Sequence, residues 1–152
     1  MNKGGTLDLG WISITMVDAI HSGSCPNDDH DFVPGGAPCG FVIRFNGNTI
    51  YHAGDTTVFG DMQLIDELYE PTFSMLPIGG HFTMGPREAA YALTKFLKHT
   101  KVVFPIHYLT FVPPLTGDVP QLRKELEKMK NKKVRIIDGY KFIGEEIEIP
   151  KE

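Results

Sequence analysis

The chain has 152 residues, of which 41% are hydrophobic and 22% charged, a composition typical of a soluble globular protein, and we expect one domain over residues 1–152. Its net charge of −4 argues against a nucleic-acid partner, because phosphate contacts need clustered Lys and Arg. The chain shows neither an apolar run of about 18 residues nor a charged-then-apolar leader, which predicts no membrane span and a cytoplasmic location.

The first part of the chain predicts strands joined by turns and one long loop. Trp11–Val17 alternates apolar and polar residues, which predicts a strand. Residues 22–39 are rich in Ser, Gly, Asp, Asn and Pro, which predicts a loop. Asn46-Gly47-Asn48 tolerates positive φ between two apolar runs, so we expect a hairpin of Phe41–Phe45 and Thr49–Ala53.

The rest of the chain alternates between helical and extended patterns. Apolar residues at helical spacing predict three helices, Phe59–Tyr69, Pro86–His99 and Gln121–Asn131. Apolar runs between them predict strands at Phe73–Ile78, Lys101–Ile106 and Val134–Ile137, and a final short strand at Ile147 and Ile149. This alternation indicates an α/β (or α+β) fold, to which the hairpin adds antiparallel pairing.

Three segments place an Asp or a His at or just past the end of an apolar strand. They are Ile20-His21-Ser22, Tyr51-His52-Ala53-Gly54-Asp55-Thr56 and Pro105-Ile106-His107-Tyr108. A carboxylate on a glycine turn can bridge two hard cations, and glycine lets the backbone approach the site closely. The alternatives are an ordinary Gly-Asp turn and structural histidines.

The order His, then Gly-Asp-Thr, then Pro-Ile-His-Tyr resembles the third, fourth and fifth metal motifs of the metallo-β-lactamase superfamily. The run Leu76–Pro86, which contains Gly79-Gly80-His81, is similar to a branch of metal-dependent hydrolases within it. That branch is related to the ascorbate-phosphate lactonases and to the phospholipase D that cleaves N-acyl-phosphatidylethanolamine. The resemblance extends from about Gly4 to about Thr110.

One departure from the superfamily pattern concerns whether the chain contains the whole fold. The motif H-x-H-x-D-H is absent, because the six His stand at 21, 30, 52, 81, 99 and 107. In the superfamily this motif lies in the first half of the fold. The resemblance therefore implies the C-terminal half of an αββα sandwich, a mixed sheet with helices on one face. A truncated gene model, an expressed fragment and a natural short form all fit this expectation.

The resemblance also implies a ligand set and a reaction. His21 would hold one metal, Asp55 would bridge two, and His107 would hold the other. Imidazole nitrogen with carboxylate oxygen suits zinc, with manganese as the alternative, and a complete site would hold up to two ions. A metal-activated hydroxide would then attack an ester, lactone or phosphodiester of a small-molecule substrate.

Other residues near these motifs receive secondary roles. His81 could donate a proton to a leaving oxygen or make an orienting hydrogen bond. His52 and Thr56 could orient ligands, and Thr83–Pro86 could shape a pocket rim or cap the next helix. Packing is expected for Tyr108, solvent exposure for two histidines, and a structural or incidental role for two cysteines: His30, His99, Cys25 and Cys39.

A second hypothesis belongs to a different class. The chain could be a catalytically silent half-fold that forms homo-oligomers through the sheet face that the other half would cover. The basic stretch Arg123–Lys133 is interleaved with Glu125 and Glu127, which is typical of a solvated helix face.

Overall fold

The computed structural model of the chain describes residues 1–109 and 116–139. Within them, three helices and nine strands follow one another. In chain order they are β1 (Thr6–Asp8), β2 (Ile12–Asp18), β3 (Ser24–Pro26), β4 (Phe32–Pro34), β5 (Cys39–Phe45), β6 (Asn48–His52), α1 (Met62–Tyr69), β7 (Phe73–Pro77), α2 (Pro86–Lys95), β8 (Val102–Ile106), α3 (Val119–Lys128) and β9 (Arg135–Ile136).

Seven strands form one mixed sheet, in the order β1-β2-β5-β6-β7-β8-β9. Pairing is antiparallel from β1 to β6 and parallel from β6 to β9. The β5–β6 turn places Asn46 at φ 50° and Gly47 at φ 74°, the left-handed conformations of a two-residue hairpin. The mixed sheet and the hairpin confirm the sequence predictions.

All three helices contribute to one core against one face of the sheet. The sheet contributes alternate residues, among them Val42, Tyr51, Leu76 and Val103, each at most 1% exposed. The helices contribute apolar residues at helical spacing, for example Met62, Leu93 and Leu122. Each fully buried side chain of this size stabilises the fold by about 2 kcal/mol relative to an exposed one. Helices on one face were expected from the resemblance, and the structure confirms them.

The opposite face of the sheet carries two aligned rows of side chains. One row is Ile14, Ile43, Ile50, Phe73 and Val102, and the next is Met16, Phe41, His52, Met75 and Phe104. Most of these side chains are only partly buried. No helix in the described part of the chain contributes to the small apolar cluster on this side. We call this surface the open face.

Several predictions of secondary structure need correction or adjustment. Residues 22–39 are not only a loop, because β3 and β4 pair within them as a separate two-stranded sheet. Strand β1 was not predicted, and α2 ends at Lys95, before the expected His99. The final strand predicted at Ile147 and Ile149 lies outside the described residues. No described helix is long and apolar enough to cross a membrane.

Candidate metal centre

Parallel strands bring three of the predicted site residues to one edge of the sheet. Strands β6, β7 and β8 are neighbours, so their carboxyl ends meet at the same edge. Asp55, His81 and His107 follow these three ends within four residues of each strand. Ligands of α/β sheets commonly bind at this edge, outside the carboxyl ends of the strands.

Asp55 and His107 form the centre of the site. Nδ1 of His107 contacts Oδ1 of Asp55, and the two side chains are 45% and 53% exposed. His107 has φ 53°, a left-handed conformation that is uncommon outside glycine and clusters at functional sites. The chain therefore turns sharply at the end of β8. Both side chains remain accessible to a ligand from solvent.

A glycine turn holds Asp55 against β5. Gly54 has φ 66°, and a Cβ built on it would lie 2.7 Å from the carbonyl oxygen of Cys39. Its N–H donates a hydrogen bond to Nδ1 of His52, with the two nitrogens 3.1 Å apart. Only glycine fits this close approach at this φ without strain. The turn thus fixes the backbone position from which Asp55 reaches His107.

His52 lies beside the pair and is held neutral. Burial lowers the pKa of His52 and the nearby imidazole of His107 lowers it further, while the negative charge of Asp55 opposes the decrease. Its Nδ1 accepts the Gly54 N–H, so the neutral ring carries its proton on Nε2. His52 therefore orients the Gly54 turn, and its predicted role of orienting a metal ligand stays a prediction.

Thr56 joins the segment before His21 to the turn of Asp55. Its hydroxyl is fully buried, accepts the N–H of Ile20 at 3.0 Å, and donates to the carbonyl of Thr57 at 2.8 Å. The N–H of Thr57 donates back to the carbonyl of Ile20 at 3.0 Å. The expected hydrogen bond from Thr56 to the Asp55 carboxylate is wrong, because the hydroxyl proton is used elsewhere.

His21 is not gathered with the pair. Its Nδ1 lies 2.8 Å from the carbonyl oxygen of Ser22. Within residues 1–109 and 116–139, no three His, Cys, Asp or Glu side chains lie close enough together to hold a metal ion. The donors that do meet, imidazole nitrogen and carboxylate oxygen, fit zinc or manganese in type. Their number falls short, since catalytic zinc sites commonly use three protein ligands.

His81 stands on a tight loop between the other two site segments. Gly80 and His81 have φ 76° and 58°, and the N–H of Gly80 donates to the carbonyl of Met84 at 3.2 Å. The imidazole is exposed and packs edge-on against Phe82, with 4.4 Å between ring centroids. An exposed ring at this edge is compatible with both predicted roles, proton donation and an orienting hydrogen bond.

The segment after His81 begins helix α2. Met84 is buried in the core, Gly85 is the N-cap residue, and Pro86 opens the helix. The carboxylate of Glu88 accepts the N–H of Gly85 at 3.2 Å, which satisfies a backbone donor at the helix start. The geometry favours the capping interpretation of Thr83–Pro86 over the pocket-rim interpretation.

Two further polar contacts were missed by sequence reasoning. The hydroxyl of buried Tyr108 donates to Oδ1 of Asp138 at 2.9 Å and so ties the segment of His107 to the end of β9. His99 is exposed, as expected, but its Nδ1 also lies 2.9 Å from Oδ2 of Asp66, a buried residue. Tyr108 and Asp138 are 30 residues apart, and His99 and Asp66 are 33 residues apart, so no local sequence pattern predicts either contact. The one signal in the sequence was the position of Asp138 just past a predicted strand.

The sequence is similar to a known protein family and to known proteins. A family model described as "Beta-lactamase superfamily domain" matches residues 1–108. A UPF0173 metal-dependent hydrolase of Methanosarcina barkeri is 47% identical over 137 residues, which cover 90% of this chain and 58% of that protein. Another, from Koribacter versatilis, is 49% identical over 128 residues, covering 84% and 53% respectively. The chain thus spans little more than half the length of these relatives.

A solved structure has a similar fold. Igni18, described as a novel metallo hydrolase from the archaeon Ignicoccus hospitalis, superposes with a TM-score of 0.70 at 36% sequence identity. The match covers 91% of this chain and 56% of Igni18.

Proposed function

Because this chain belongs to the β-lactamase superfamily domain family, we propose that it supplies half of the metal site of a metal-dependent hydrolase. One observation carries the proposal. The sheet brings the Asp55 carboxylate and the His107 imidazole into contact at its carboxyl edge, with both side chains accessible. Relatives matched over most of the chain are named metal-dependent hydrolases, which supports the same reaction class here.

The metal we propose is zinc, with manganese as the alternative, and up to two ions in a complete site. Asp55 and His107 would hold it in this chain, and His21 would join them as the third ligand. A bound divalent ion would supply Lewis-acid polarisation of the substrate and would activate water near neutral pH. The remaining ligands would come from outside the described residues or from another polypeptide, and we propose that the ligands named here are only part of the complete set.

The other residues of the edge have distinct roles. Neutral His52 holds the Gly54 turn, which orients the Asp55 carboxylate. Thr56 keeps the Ile20 segment, and with it His21, attached to that turn. His81 is exposed between the two ligand segments, where it would donate a proton to the leaving oxygen or orient the substrate by a hydrogen bond. We propose an ester, lactone or phosphodiester of a small molecule as substrate.

Substitutions of two histidines with similar backbone conformations test the role of His107 as a metal ligand. His107 and His30 both have positive φ, 53° and 66°, and both can be replaced by Asn, which tolerates this conformation. Zinc binding is measured by calorimetry on the purified chain and on His107→Asn and His30→Asn. Loss of a ligand is expected to weaken zinc binding about tenfold or more in His107→Asn, and His30→Asn is expected to match the parent.

Hydrolysis is tested on the same three proteins. Chromogenic substrates of the ester, lactone and phosphodiester classes are offered with and without zinc. Turnover that requires zinc and disappears in His107→Asn supports a working site. Equal zinc affinity in the parent and in His107→Asn would contradict the role of the pair.

The open face favours a second candidate, a catalytically silent half-fold that self-associates. Two rows of largely apolar side chains span five strands there, with no described helix packed on them. Five strands about 4.8 Å apart make a footprint on the order of 400 Å² per copy, and apolar patches of about this size are often functional. Two copies could cover this face by a symmetric sheet-to-sheet contact.

Light scattering tests this candidate with one pair of variants. Ile43 lies in the first row of the open face, whereas Leu64 is 53% exposed on helix α1. We expect the parent and Leu64→Lys to be dimeric and Ile43→Lys to be monomeric at the same concentration. A monomeric parent, or an Ile43→Lys variant that remains dimeric, would exclude this interface.

A further inference from the structure

A small cavity lies at the amino edge of the sheet, opposite to the candidate metal centre. It is bounded by the ends of α2 and α3 and by the segments that lead into β8 and β9, and its volume is about 190 Å³. Leu93, Met129 and Val134 provide apolar walls. Lys98, Lys130 and Lys133 also line it.

The charged side chains that line this cavity are all positive. No Asp or Glu of the described part of the chain lines it, although the chain as a whole carries a net charge of −4. Among the described residues, none of the three lysines forms an ion pair. Lysines near a helix end also complement its dipole, but that effect falls off within one turn and is weak at an exposed position. Within residues 1–109 and 116–139, the three exposed lysines that line the cavity therefore have no carboxylate as a counter-charge.

The wall that carries two of these lysines is fixed by hydrogen bonds. Nδ2 of Asn131 donates to the carbonyl of Leu93 at 3.3 Å and to Oγ1 of Thr94 at 3.1 Å, which joins the end of α3 to α2. Lys130 has φ 57° directly after the last turn of α3, a position that glycine usually occupies. The structure thus places a lysine in a strained conformation at the mouth of a pre-formed cavity.

We propose that this cavity binds the phosphate group of a small molecule. Lysine binds phosphate as a compact point charge, and three such charges suit a doubly charged tetrahedral anion. The volume is below the range of about 300–1,000 Å³ found for pockets that hold drug-sized ligands, so the ligand is inorganic phosphate or a small phosphate monoester. The site is separate from the metal pair and does not depend on its function.

NMR titration of the full chain tests the proposal without metal. Inorganic phosphate and glycerol phosphate are added separately in the presence of a chelator, with chloride adjusted to keep the ionic strength constant. We expect saturable shifts of backbone amides confined to residues 93–100 and 129–134. The double variant Lys130→Gln, Lys133→Gln is expected to weaken binding about tenfold or more, by loss of two of the three cations.

A matched control removes two positive charges from helix α3. Arg123→Gln, Lys124→Gln changes the net charge equally but leaves the cavity intact, and we expect it to bind phosphate like the parent. Equal affinity for both anions would identify free phosphate as the ligand, and tighter binding of the ester would identify a monoester. Shifts that do not saturate, an equal loss in the control, or binding seen only with long polyanions would overturn the proposal.

Discussion

At the residue scale, one glycine determines where the Asp55 carboxylate stands. Gly54 combines positive φ with a backbone oxygen 2.7 Å from the position that an added methyl group would take, so alanine there is both strained and too large. Gly10 has φ 82° and no neighbour within 4 Å of that position, so alanine there is only strained. Comparing alanine substitutions at these two sites therefore separates the energetic cost of the close approach to β5 from the cost of positive φ.

We expect Gly54→Ala to lower the free energy of unfolding by about 2–4 kcal/mol and Gly10→Ala by about 1 kcal/mol. Urea denaturation of both variants provides the comparison. Equal losses would show that the contact with the Cys39 carbonyl relaxes at little energetic cost.

Tyr51 is a second residue with a distinct environment. It is fully buried, and its hydroxyl oxygen is the one buried side-chain polar atom of the described residues that lacks a hydrogen-bond partner. Burial raises the pKa of Tyr51 far above its ordinary value of 10.0, and the negative charge of Asp18 raises it further. A raised pKa for an acid means that folding favours the neutral phenol. The stability that folding gains from the neutral form of Tyr51 is therefore fully present below pH 10 and is lost as the pH rises above 10.

We expect Tyr51→Phe to be as stable as the parent at pH 7, or more stable by about 1 kcal/mol, because it removes an unsatisfied hydroxyl. Between pH 10 and 11 the parent should lose more stability than the variant. Denaturant titrations at these pH values measure the difference. A parallel alkaline loss in both proteins would mean that Tyr51 ionises inside the fold without cost.

At the scale of elements, short hydrogen-bonded segments hold the site together, and Thr56 is the clearest example. Thr56→Val keeps the shape of the side chain but leaves the Ile20 N–H without its acceptor, so we expect a loss of about 1–3 kcal/mol and faster amide exchange at Ile20. Thr49, on β6, makes no side-chain hydrogen bond with a described residue, so Thr49→Val is a control with little expected change. Unchanged exchange at Ile20 would exclude the proposed connection.

Elements with a strong local signal were predictable from the sequence. The β5–β6 hairpin follows from Asn46-Gly47 between two apolar runs, and α2 follows from Pro86 ahead of a helical pattern. Strand β1 gives no such signal, because its three residues are all exposed; it pairs with β2 through the backbone and through one hydrogen bond between the hydroxyls of Thr6 and Thr15. Strands β3 and β4 contain Pro, Ser and Cys, residues that also suit a loop, so only their mutual pairing defines them.

The candidate site was predictable only in part. Asp55 and His107 each follow an apolar strand, and parallel pairing of those strands with β7 was enough to bring them to one edge. The partners of His99 and Tyr108 depend on contacts over 30 residues or more, which no local pattern encodes. His21 has the local pattern of a ligand, yet its ring nitrogen meets the carbonyl of Ser22.

At the scale of the whole molecule, the two ends of the sheet carry different chemistry. The carboxyl edge holds the Asp55–His107 pair, and the amino edge holds three lysines around a small cavity. Between them, the helices cover one face and the open face remains apolar. The matched regions cover 58% and 53% of the two relatives.

Metal content per chain tests this account most directly. Elemental analysis is made on tag-free protein purified without added metal, in parallel with Asp55→Asn and His107→Asn. We expect less than one zinc or manganese ion per monomeric chain in the parent, and a clear reduction in both variants, because an incomplete set of ligands holds an ion weakly. Two ions per monomeric chain, or a metal content that neither substitution changes, would contradict a half-site built on Asp55 and His107.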